Sequence, residues 1–448
     1  MIKSILYNFE IVGDFDTINY YRSLTPMNRE SMPDPTISGI TETTYRDKTV
    51  APETTYYVRF GSVYEGEEKL SKEIIIKTFD KLWESSEIVI SHYFNNMNNY
   101  NLTNSTAFIE KTNVDLIGTS KYRGGVIGPD GKIYCIPYNA TKILIYDPST
   151  GEANLTNMGA DLSGDSKWSG GTLGPDGKIY CAPFNATDIL VIDPKLGIAT
   201  RKTFNLSLTG DLKYEGIVCG FNNLLYCIPR NSNNILIINT ENNTASLKNY
   251  NLSLSETYKW NGGTLGKNGY IYGFSEDRST ILTINTNNTN DSAFLFAPSF
   301  SMSDGYKWFG GVLAPNGKLY GIPYNSTSIL VINTNLENAT LERKSYIGDL
   351  SGSTKWQGGA LGLDGKIYCA PYNAPDILII DPLTDTITRT NFGIYLNYNS
   401  KYSGIIAAPD GKLYCIPFNA DNMLIISPDP SIPLVSDKIL RSPHYNKL

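Results

Sequence analysis

The residues best suited to contact a ligand come as a pair, a lysine followed by an aromatic residue, that recurs along most of the chain. The seven copies are Lys121-Tyr122, Lys167-Trp168, Lys213-Tyr214, Lys259-Trp260, Lys307-Trp308, Lys355-Trp356 and Lys401-Tyr402. A second recurring group, Pro-Tyr/Phe-Asn, contains Asn139, Asn185, Asn325, Asn373 and Asn419. Aromatic faces with amide and ammonium donors suit sugars or anionic glycans, because lysine offers a mobile point charge for carboxylate or phosphate. We therefore treat these residues as candidate ligand-binding residues.

The same residues have a structural alternative. A residue that recurs in every repeat often serves the repeat itself, with tryptophan wedged between neighbours, asparagine capping a loop and lysine covering an aromatic ring with its stem. Departures from a repeat are better candidates for a specific site. Where other copies have Pro-Tyr-Asn, one copy has Arg230 and the next has Glu276, Asp277 and Arg278. These four residues join the candidate ligand-binding residues.

Histidine is scarce, which limits the catalytic chemistry that the chain can perform. His92 and His444 are the only two in 448 residues, and neither belongs to the repeats. His-based triads and His-based metal sites are therefore excluded there, and no Walker loop, HExxH or EF-hand motif occurs. Recurring carboxylates such as Asp176 stand in Asp-Gly turns, whose geometry explains them. We expect no catalytic residue, no metal and no cofactor, although glycosidase chemistry with two carboxylates stays open.

Five of the six cysteines occupy one repeat position, where the other two copies have Gly273 and Gly321. Exchange with glycine indicates a small residue on a crowded strand. Equivalent positions in successive repeats would lie beyond the roughly 4.4–6.8 Å between Cα atoms that a disulfide needs. We expect all six to be reduced thiols in the core.

Composition and charge narrow the possible partners. The net charge of -6 and pI of about 5.2 do not predict a nucleic-acid partner, which requires a basic surface. No apolar stretch approaches the roughly 20 residues of a membrane-spanning helix, so we expect no membrane insertion. The first residues are too polar for a signal peptide, which predicts a cytoplasmic site of synthesis.

The lysine–aromatic pairs are spaced by 46, 46, 46, 48, 48 and 46 residues. Such a period is typical of four short strands per repeat, as in propeller blades. In the second copy we predict strands at Gly171–Gly174, Lys178–Ala182, Ile189–Ile192 and about Ala199–Phe204, with a hairpin turn at Pro175-Asp176-Gly177. The chain is therefore predicted to be all-β, with a seven-bladed β-propeller over residues 104–430.

The ends of the repeat region predict how the ring closes. The last copy has three strands and no convincing fourth, whereas Ser105–Thr112, before the first copy, looks like a spare outer strand. Phe108 and Ile109 should then pair with the strand that contains Leu424 and Ile425, which removes the open edges. In such a propeller the connections that carry the candidate residues all lie at one mouth of the channel.

The run from Asp176 to Pro194, in which Asp-Gly-Lys-Ile-Tyr precedes an apolar stretch and Asp-Pro, resembles YVTN-type and kelch-like propeller repeats. The Gly-Gly pair departs from the kelch pattern at Gly216-Ile217 and Gly404-Ile405. The resemblance implies the fold and little about function, since propellers host many chemistries.

Residues 1–80 lack the repeat and alternate like a β-sandwich, with strands predicted at Leu6–Val12, Thr17–Arg22, Thr44–Arg46, Tyr56–Val63 and Glu73–Thr78. The stretch from Tyr45 to Phe60 resembles the later strands of fibronectin type III domains, which implies that Tyr56 or Tyr57 is the conserved corner tyrosine. We interpret residues 81–103 as a linker and 431–448 as a C-terminal tail.

Residues Phe15 to Met27 resemble modules at the start of tail-associated proteins of tailed bacteriophages. The resemblance implies a virion tail or fibre protein, assembled in the host cytoplasm, whose N-terminal module attaches to other virion tail proteins. The propeller would bind a host-surface glycan or another virion subunit without catalysis. The alternatives are a lyase or hydrolase acting on polysaccharide and a purely structural docking protein, and a homo-oligomer is possible in each case.

Overall fold

The computed structural model describes residues 5–11, 16–28, 31–41, 44–47, 54–70, 74–77, 88–94, 105–287, 291–302, 305–335, 339–346 and 350–428. All regular elements in these ranges are β-strands. The chain divides into two compact units, with the boundary between Thr103 and Asn104.

The N-terminal unit contains eight strands in its described part. They are β1 (Ile5–Ile11), β2 (Thr17–Ser23), β3 (Ile37–Ile40), β4 (Thr44–Asp47), β5 (Thr55–Tyr64), β6 (Glu67–Leu70), β7 (Ile74–Lys77) and β8 (Ile88–Phe94). One sheet has the order β4-β1-β8, and the other has the order β3-β2-β5-β6, with β7 also paired to β5. The five predicted strands are present, and β3, β6 and β8 were not predicted.

Strand β8 comes from the segment predicted as a linker. It pairs with β1 in parallel, in the register Ile5↔Ile88 to Ile11↔Phe94, so these residues belong to the first sheet. His92 lies on this strand, opposite Phe9. The remaining linker residues, the tail 431–448 and His444 lie outside the described residues.

The second unit is a β-propeller. Its described residues form seven antiparallel sheets of four strands, here called blades 1 to 7 in the order of their lysine–aromatic pairs, with strands a to d from the inside outward. Strands a of successive blades lie against one another, and that of blade 7 lies against that of blade 1.

The 28 strands of the propeller are as follows. Strands a are β10 (Tyr122–Ile127), β14 (Trp168–Leu173), β18 (Tyr214–Cys219), β22 (Trp260–Leu265), β26 (Trp308–Leu313), β30 (Trp356–Leu361) and β34 (Tyr402–Ala407). Strands b are β11 (Ile133–Pro137), β15 (Ile179–Pro183), β19 (Leu224–Pro229), β23 (Tyr270–Ser275), β27 (Lys318–Pro323), β31 (Ile367–Pro371) and β35 (Leu413–Pro417). Strands c are β12 (Ile143–Asp147), β16 (Ile189–Asp193), β20 (Ile235–Asn239), β24 (Ile281–Asn285), β28 (Ile329–Asn333), β32 (Ile377–Asp381) and β36 (Met423–Ser427). Strands d are β13 (Glu152–Thr156), β17 (Ile198–Lys202), β21 (Thr244–Lys248), β25 (Ser292–Phe296), β29 (Thr340–Lys344), β33 (Thr386–Thr390) and, for blade 7, β9 (Thr106–Glu110).

Strand β9 precedes the first blade in the chain and completes the last one. It runs antiparallel to β36, with Ile109 opposite Leu424 and Phe108 opposite Ile425. The two ends of the propeller sequence therefore share one sheet, which leaves strand c of blade 7 with a partner on both sides.

Strands a begin three residues earlier than predicted in blade 2, at Trp168. The pairing of strands a and b shifts register between Trp168 and Gly171, and Gly170 has φ +76°. A residue in this left-handed conformation is unpaired in the ladder and bends the strand, as in a bulge. Glycine adopts it without strain, and the irregularity recurs in all seven blades.

The cores lie between the blades, where strands b and c are buried on both faces. All six cysteines are buried and free, as expected. The Asp-Gly turns also have the predicted structural role: Asp176 accepts hydrogen bonds from the Tyr180 hydroxyl at 3.0 Å and from the Lys178 amide at 3.3 Å.

Candidate functional site

The recurring lysines are buried, and their ammonium groups donate to backbone carbonyl oxygens. In blade 2, Lys167 Nζ lies 2.7 Å from Gly164 O and 2.8 Å from Tyr138 O of the preceding blade. The other six lysines make seven such contacts: Lys121–Gly118, Lys213–Gly210, Lys259–Glu256, Lys307–Glu276, Lys355–Tyr324, Lys355–Gly352 and Lys401–Tyr398. In this geometry the backbone therefore accepts a hydrogen bond from each of the seven ammonium groups.

Burial has a consequence for the charge of these lysines. Removal from water disfavours the protonated form and lowers the pKa of five of them to about 8: Lys121, Lys167, Lys213, Lys259 and Lys401. The carbonyl contacts favour the charged form, so the lysines stabilise the loops that they cross.

The aromatic partner of each lysine packs inside its blade. Four tryptophans have no exposed surface, and each indole Nε1 donates to the carbonyl that precedes strand c. The bonds are Trp168–Asp188 at 2.9 Å, Trp260–Thr280 at 3.0 Å, Trp308–Ser328 at 2.9 Å and Trp356–Asp376 at 2.8 Å. Tyr122, Tyr214 and Tyr402 take the same place and are equally buried.

The recurring asparagines connect one blade to the next. Each side-chain oxygen accepts a hydrogen bond from the backbone amide just before the next lysine, as in Ser166 N to Asn139 Oδ1 at 2.7 Å. Asn185, Asn325, Asn373 and Asn419 make the equivalent bond at 2.6–2.8 Å. Asp277 replaces asparagine and accepts from Tyr306 N at 3.0 Å. The contacts of the lysines, aromatics and asparagines thus support the structural alternative.

A different set of side chains lines the mouth of the channel. One residue of each b–c connection occupies one ring position per blade: in six blades it lies between proline and asparagine, and in blade 4 it lies between Ser275 and Asp277. The seven residues are Tyr138, Phe184, Arg230, Glu276, Tyr324, Tyr372 and Phe418; we call them the mouth ring. Its aromatic members contact each other in sequence, with centroid distances of 5.5 Å (138–184), 6.0 Å (138–418), 5.6 Å (372–418) and 6.0 Å (324–372).

Two charged residues fill the remaining arc of the mouth ring. Arg230 donates from Nε and Nη2 to the two carboxylate oxygens of Glu276, each at 2.7 Å. The guanidinium carbon of Arg230 also lies 5.5 Å from the centre of the Phe184 ring, which joins the pair to the aromatic arc. Burial raises the pKa of Glu276, and its bonds to Arg230 only partly offset this shift.

A second layer contacts the mouth ring from the start of strands a. The residue after each lysine–aromatic pair supplies it: Arg123, Ser169, Glu215, Asn261, Phe309, Gln357 and Ser403; we call them the channel layer. The Arg123 guanidinium lies 5.1–5.4 Å from the rings of Tyr138, Phe184 and Phe309. Because Phe309 belongs to blade 5 and Arg123 to blade 1, Arg123 reaches across the channel.

The channel layer contains its own ion pair. Arg123 Nη2 lies 3.0 Å from Glu215 Oε2, and Ser169 donates to the other oxygen of Glu215. Burial alone would lower the pKa of Arg123, but the nearby Glu215 carboxylate raises it above its usual value. Arg123 is therefore a permanent cation on the floor of the mouth ring.

Two further tyrosines stand where the repeat departs from its pattern. Tyr258 and Tyr306 occupy the position before the lysine, where other blades have Ser120, Ser166 or Thr354. Their centroids are 6.0 Å apart, and the Arg230 guanidinium lies 4.9 Å from the Tyr258 ring. They extend the aromatic surface outward above the Arg230–Glu276 pair.

Of the sequence-predicted residues, the structure brings Arg230 and Glu276 into the mouth ring. Arg278 instead pairs with Glu256 at 2.8 Å and stacks over Trp260. Sequence reasoning missed Arg123, Glu215 and Phe309. A signal was available, since the residue after the lysine–aromatic pair differs in almost every copy while its neighbours recur.

Within the described ranges, no cluster of three or more His, Cys, Asp or Glu side chains is arranged to hold a metal ion. No helix of sufficient length and apolarity to cross a membrane is found in the described part of the chain.

Comparison with known proteins identifies the fold. No protein-family model and no curated protein sequence matches the chain. Virginiamycin B lyase from Staphylococcus aureus is similar in structure, with a TM-score of 0.58 and 16% identity over 72% of this chain and 99% of that one. A catalytically inactive histidine-to-alanine variant of that lyase with quinupristin gives 0.56 at 16% identity, over the same shares. Hydrazine synthase from Kuenenia stuttgartiensis gives 0.50 at 12% identity, over 71% of this chain and 98% of that one. These likenesses, together with the sheets described above, show that the chain contains a β-propeller.

Proposed function

We propose that the propeller is a non-enzymatic binding domain whose mouth ring holds a host-surface glycan, and that the chain is a tail or fibre component of a phage virion. The observation that carries the binding proposal is the mouth ring itself. Five aromatic side chains and one buried ion pair meet at a position where the repeat places no residue of fixed type.

The chemistry of the mouth ring suits a sugar. Aromatic faces stack against the C–H faces of sugars, while a tyrosine keeps a polar end for hydroxyl groups. Tyr138, Tyr324 and Tyr372 are half-buried, so part of each ring stays accessible at the mouth. Arg230 and Glu276 add fixed donors and acceptors beside these rings, which would orient the ligand.

We infer that the propeller is a closed ring of seven blades related to YVTN-type and kelch-like repeats. The seven sheets, the contact between the inner strands of blades 7 and 1 and the pairing of β9 with β36 support this inference. Closure matters for the binding proposal because only a closed ring brings Phe309 of blade 5 to Arg123 of blade 1.

We propose that the N-terminal unit is a fibronectin III-like sandwich that attaches the chain to other virion tail proteins. Two sheets in this unit support a sandwich. Tyr56 is buried near the start of β5, which is the place of the corner tyrosine in that fold. A virion origin predicts that the gene lies among tail genes and that the protein is detected by mass spectrometry in purified particles.

An enzyme acting on polysaccharide is the second candidate, because Glu276 is a buried carboxyl with a raised pKa, a property of catalytic acids. Both of its oxygens accept hydrogen bonds from Arg230, however. Glu215 accepts one from Ser169 through Oε1 and is ion-paired with Arg123 through Oε2. The lyase variant named above is catalytically inactive and has one histidine replaced by alanine. Residues 105–428 of the present chain contain no histidine. Incubation of purified capsule or lipopolysaccharide with the protein should leave the chain length unchanged; shortened chains would establish the enzyme instead.

The binding proposal is tested with the full chain on a glycan array and on host cells. We expect binding that falls at least about tenfold in a Tyr138→Ala, Tyr372→Ala double variant, equivalent to about 1.4 kcal/mol lost with two aromatic contact surfaces. Tyr64→Ala, which removes an exposed tyrosine of the N-terminal unit, is the matched control and should bind as the wild type does. Absence of binding to every host glycan would leave the propeller as a docking surface for virion subunits.

A further inference from the structure

The four charged residues of the mouth ring and the channel layer form two ion pairs. Arg230 forms a bidentate pair with Glu276 at 2.7 Å, and Arg123 pairs with Glu215 at 3.0 Å. Glu276 has no exposed surface, and Arg230 is 9% exposed. Two cations and two anions therefore lie together in a region of low dielectric constant, with a net charge of zero.

The recurring lysines keep their charge, but their hydrogen bonds go to the backbone and to neither ion pair. Their ammonium groups are bonded to backbone carbonyl oxygens, for example Lys307 Nζ to Glu276 O at 2.9 Å and Lys355 Nζ to Tyr324 O at 3.0 Å. Lys167 and Lys355 are each bonded to loops of two blades, which fixes their ammonium groups in place.

Several buried hydrogen-bonding atoms remain unused in the channel layer. Asn261 Oδ1, Ser403 Oγ and Arg123 Nε are buried and have no hydrogen-bond partner among the described residues. Glu215 Oε2 also lacks a hydrogen bond and has only its ion-pair contact with Arg123. Asn261 is 2% exposed and Ser403 has no exposed surface. The first three atoms offer an acceptor, a hydroxyl and a donor, which matches a ligand whose hydroxyl groups both donate and accept.

We propose that the ligand of the mouth ring is an uncharged sugar, with its hydrophobic face on the aromatic arc and its hydroxyl groups directed to the Arg230–Glu276 pair and the channel layer. The inference rests on the proposed glycan-binding function and names its ligand class. A sugar carboxylate would place a third negative charge beside Glu215 and Glu276, and a buried charge without a partner is costly. A neutral sugar would add no charge at these groups.

The experiment compares neutral hexose oligosaccharides with the same oligosaccharides oxidised at C6 to uronic acids, using the full chain. We expect the neutral set to bind at least about tenfold more tightly, equivalent to about 1.4 kcal/mol. Its affinity should also change little between low and high salt, because no net charge is neutralised on binding.

The variant Glu276→Gln tests the charge argument. It keeps the side-chain shape and a carbonyl acceptor for Arg230 but leaves one positive charge unbalanced. We expect the preference to shift towards the uronic acids by at least about tenfold. The matched control is Asp385→Asn, which breaks the ion pair with Lys344 in a c–d turn, at the other end of the strands from the mouth. This control should keep the wild-type preference, and thermal unfolding confirms that both variants are folded.

The outcomes separate the two proposals. Tighter binding of the uronic acids by the wild type would overturn the uncharged-sugar inference and leave the glycan-binding function standing. Binding of neither set, while a virion protein binds instead, would overturn both. An unchanged preference in Glu276→Gln would also overturn the inference, since the ion pair would then have no part in ligand choice.

Discussion

Ile136, on strand b of blade 1, occupies the space that a side chain on Gly171 of blade 2 would enter. A Cβ placed on Gly171 would lie 2.8 Å from Ile136 Cδ1. At the next interface the sizes are exchanged, because Ala182 takes the place of the isoleucine and Ile217 that of the glycine, and both belong to one buried cluster. The interface between neighbouring blades therefore needs one large and one small residue, and either blade can supply the large one.

This relationship predicts a rescue. Gly171→Ile should destabilise the propeller by about 1–3 kcal/mol, the usual cost of adding atoms to a packed core. Ile136→Ala should cost about 2–5 kcal/mol through the cavity that it leaves. The double variant recreates the arrangement of Ala182 and Ile217 and should recover most of the loss. Denaturant unfolding of the four proteins gives the coupling free energy, and simple additivity would contradict the size rule.

The bulge glycines give a second prediction. Gly358 has φ +84°, and a Cβ on it would lie 3.0 Å from Gly404 Cα in the next blade, whereas Gly159 has φ +82° and no atom within 4 Å of the same position. Both Gly→Ala variants bear the cost of a left-handed residue, about 1–2 kcal/mol. Gly358→Ala must in addition push two strands apart, so its loss of unfolding free energy should be clearly larger. Equal losses in the two variants would show that the inner strands can separate without cost.

The lysine contacts predict a separation of stability from binding. Lys355 donates to Tyr324 O at 3.0 Å and to Gly352 O at 2.9 Å, so Lys355→Met leaves two carbonyl oxygens without this donor. We expect a loss of about 1–3 kcal/mol of unfolding free energy, typical of hydrogen bonds from a charged group. Glycan affinity of the folded protein should be unchanged. A large drop in glycan affinity with unchanged stability would contradict this expectation and would show that Lys355 takes part in ligand binding.

The buried thiols predict a loss of stability at alkaline pH. Burial raises the pKa of Cys181 far above its usual value, so the folded chain keeps the proton while the unfolded chain loses it above a pH of about 8.5. The stabilising contribution is complete below that pH and is lost as the pH rises. Between pH 8 and pH 10 one thiol should cost about 2 kcal/mol.

A comparison with Cys181→Ala isolates this effect. The buried lysines have lowered pKa values and act in the opposite direction from about pH 8 upward, but they contribute equally to both proteins. The unfolding free energy of the variant should therefore fall less steeply between pH 8 and pH 10. Parallel curves would show that the thiol ionises in the folded state.

Much of the architecture could be predicted from local patterns. Asp-Gly turns, apolar runs and proline-terminated strands each depend on a few neighbouring residues, so the period and the strands of blade 2 follow from reading along the chain. The exchange of large and small residues between neighbouring blades can also be seen in the sequence. It recurs at Ala370 and Ile405, which lie in one buried cluster. In the N-terminal unit, β6 was missed because its charged segment forms a strand only through a tight turn at Glu65 and Gly66, both with positive φ.

The residue types and their period thus determined that this protein contains repeated four-stranded sheets, because strand and turn preferences act over short distances. The tertiary structure alone decided which side chains meet at the mouth. The bulge at Gly170 and its equivalents sets which residue of strand a faces the channel, and closure of the ring brings Arg123 to Phe309, about four repeats away in sequence. Contacts across the channel depend on the curvature summed over all blades, and this sum cannot be predicted from a short stretch of sequence.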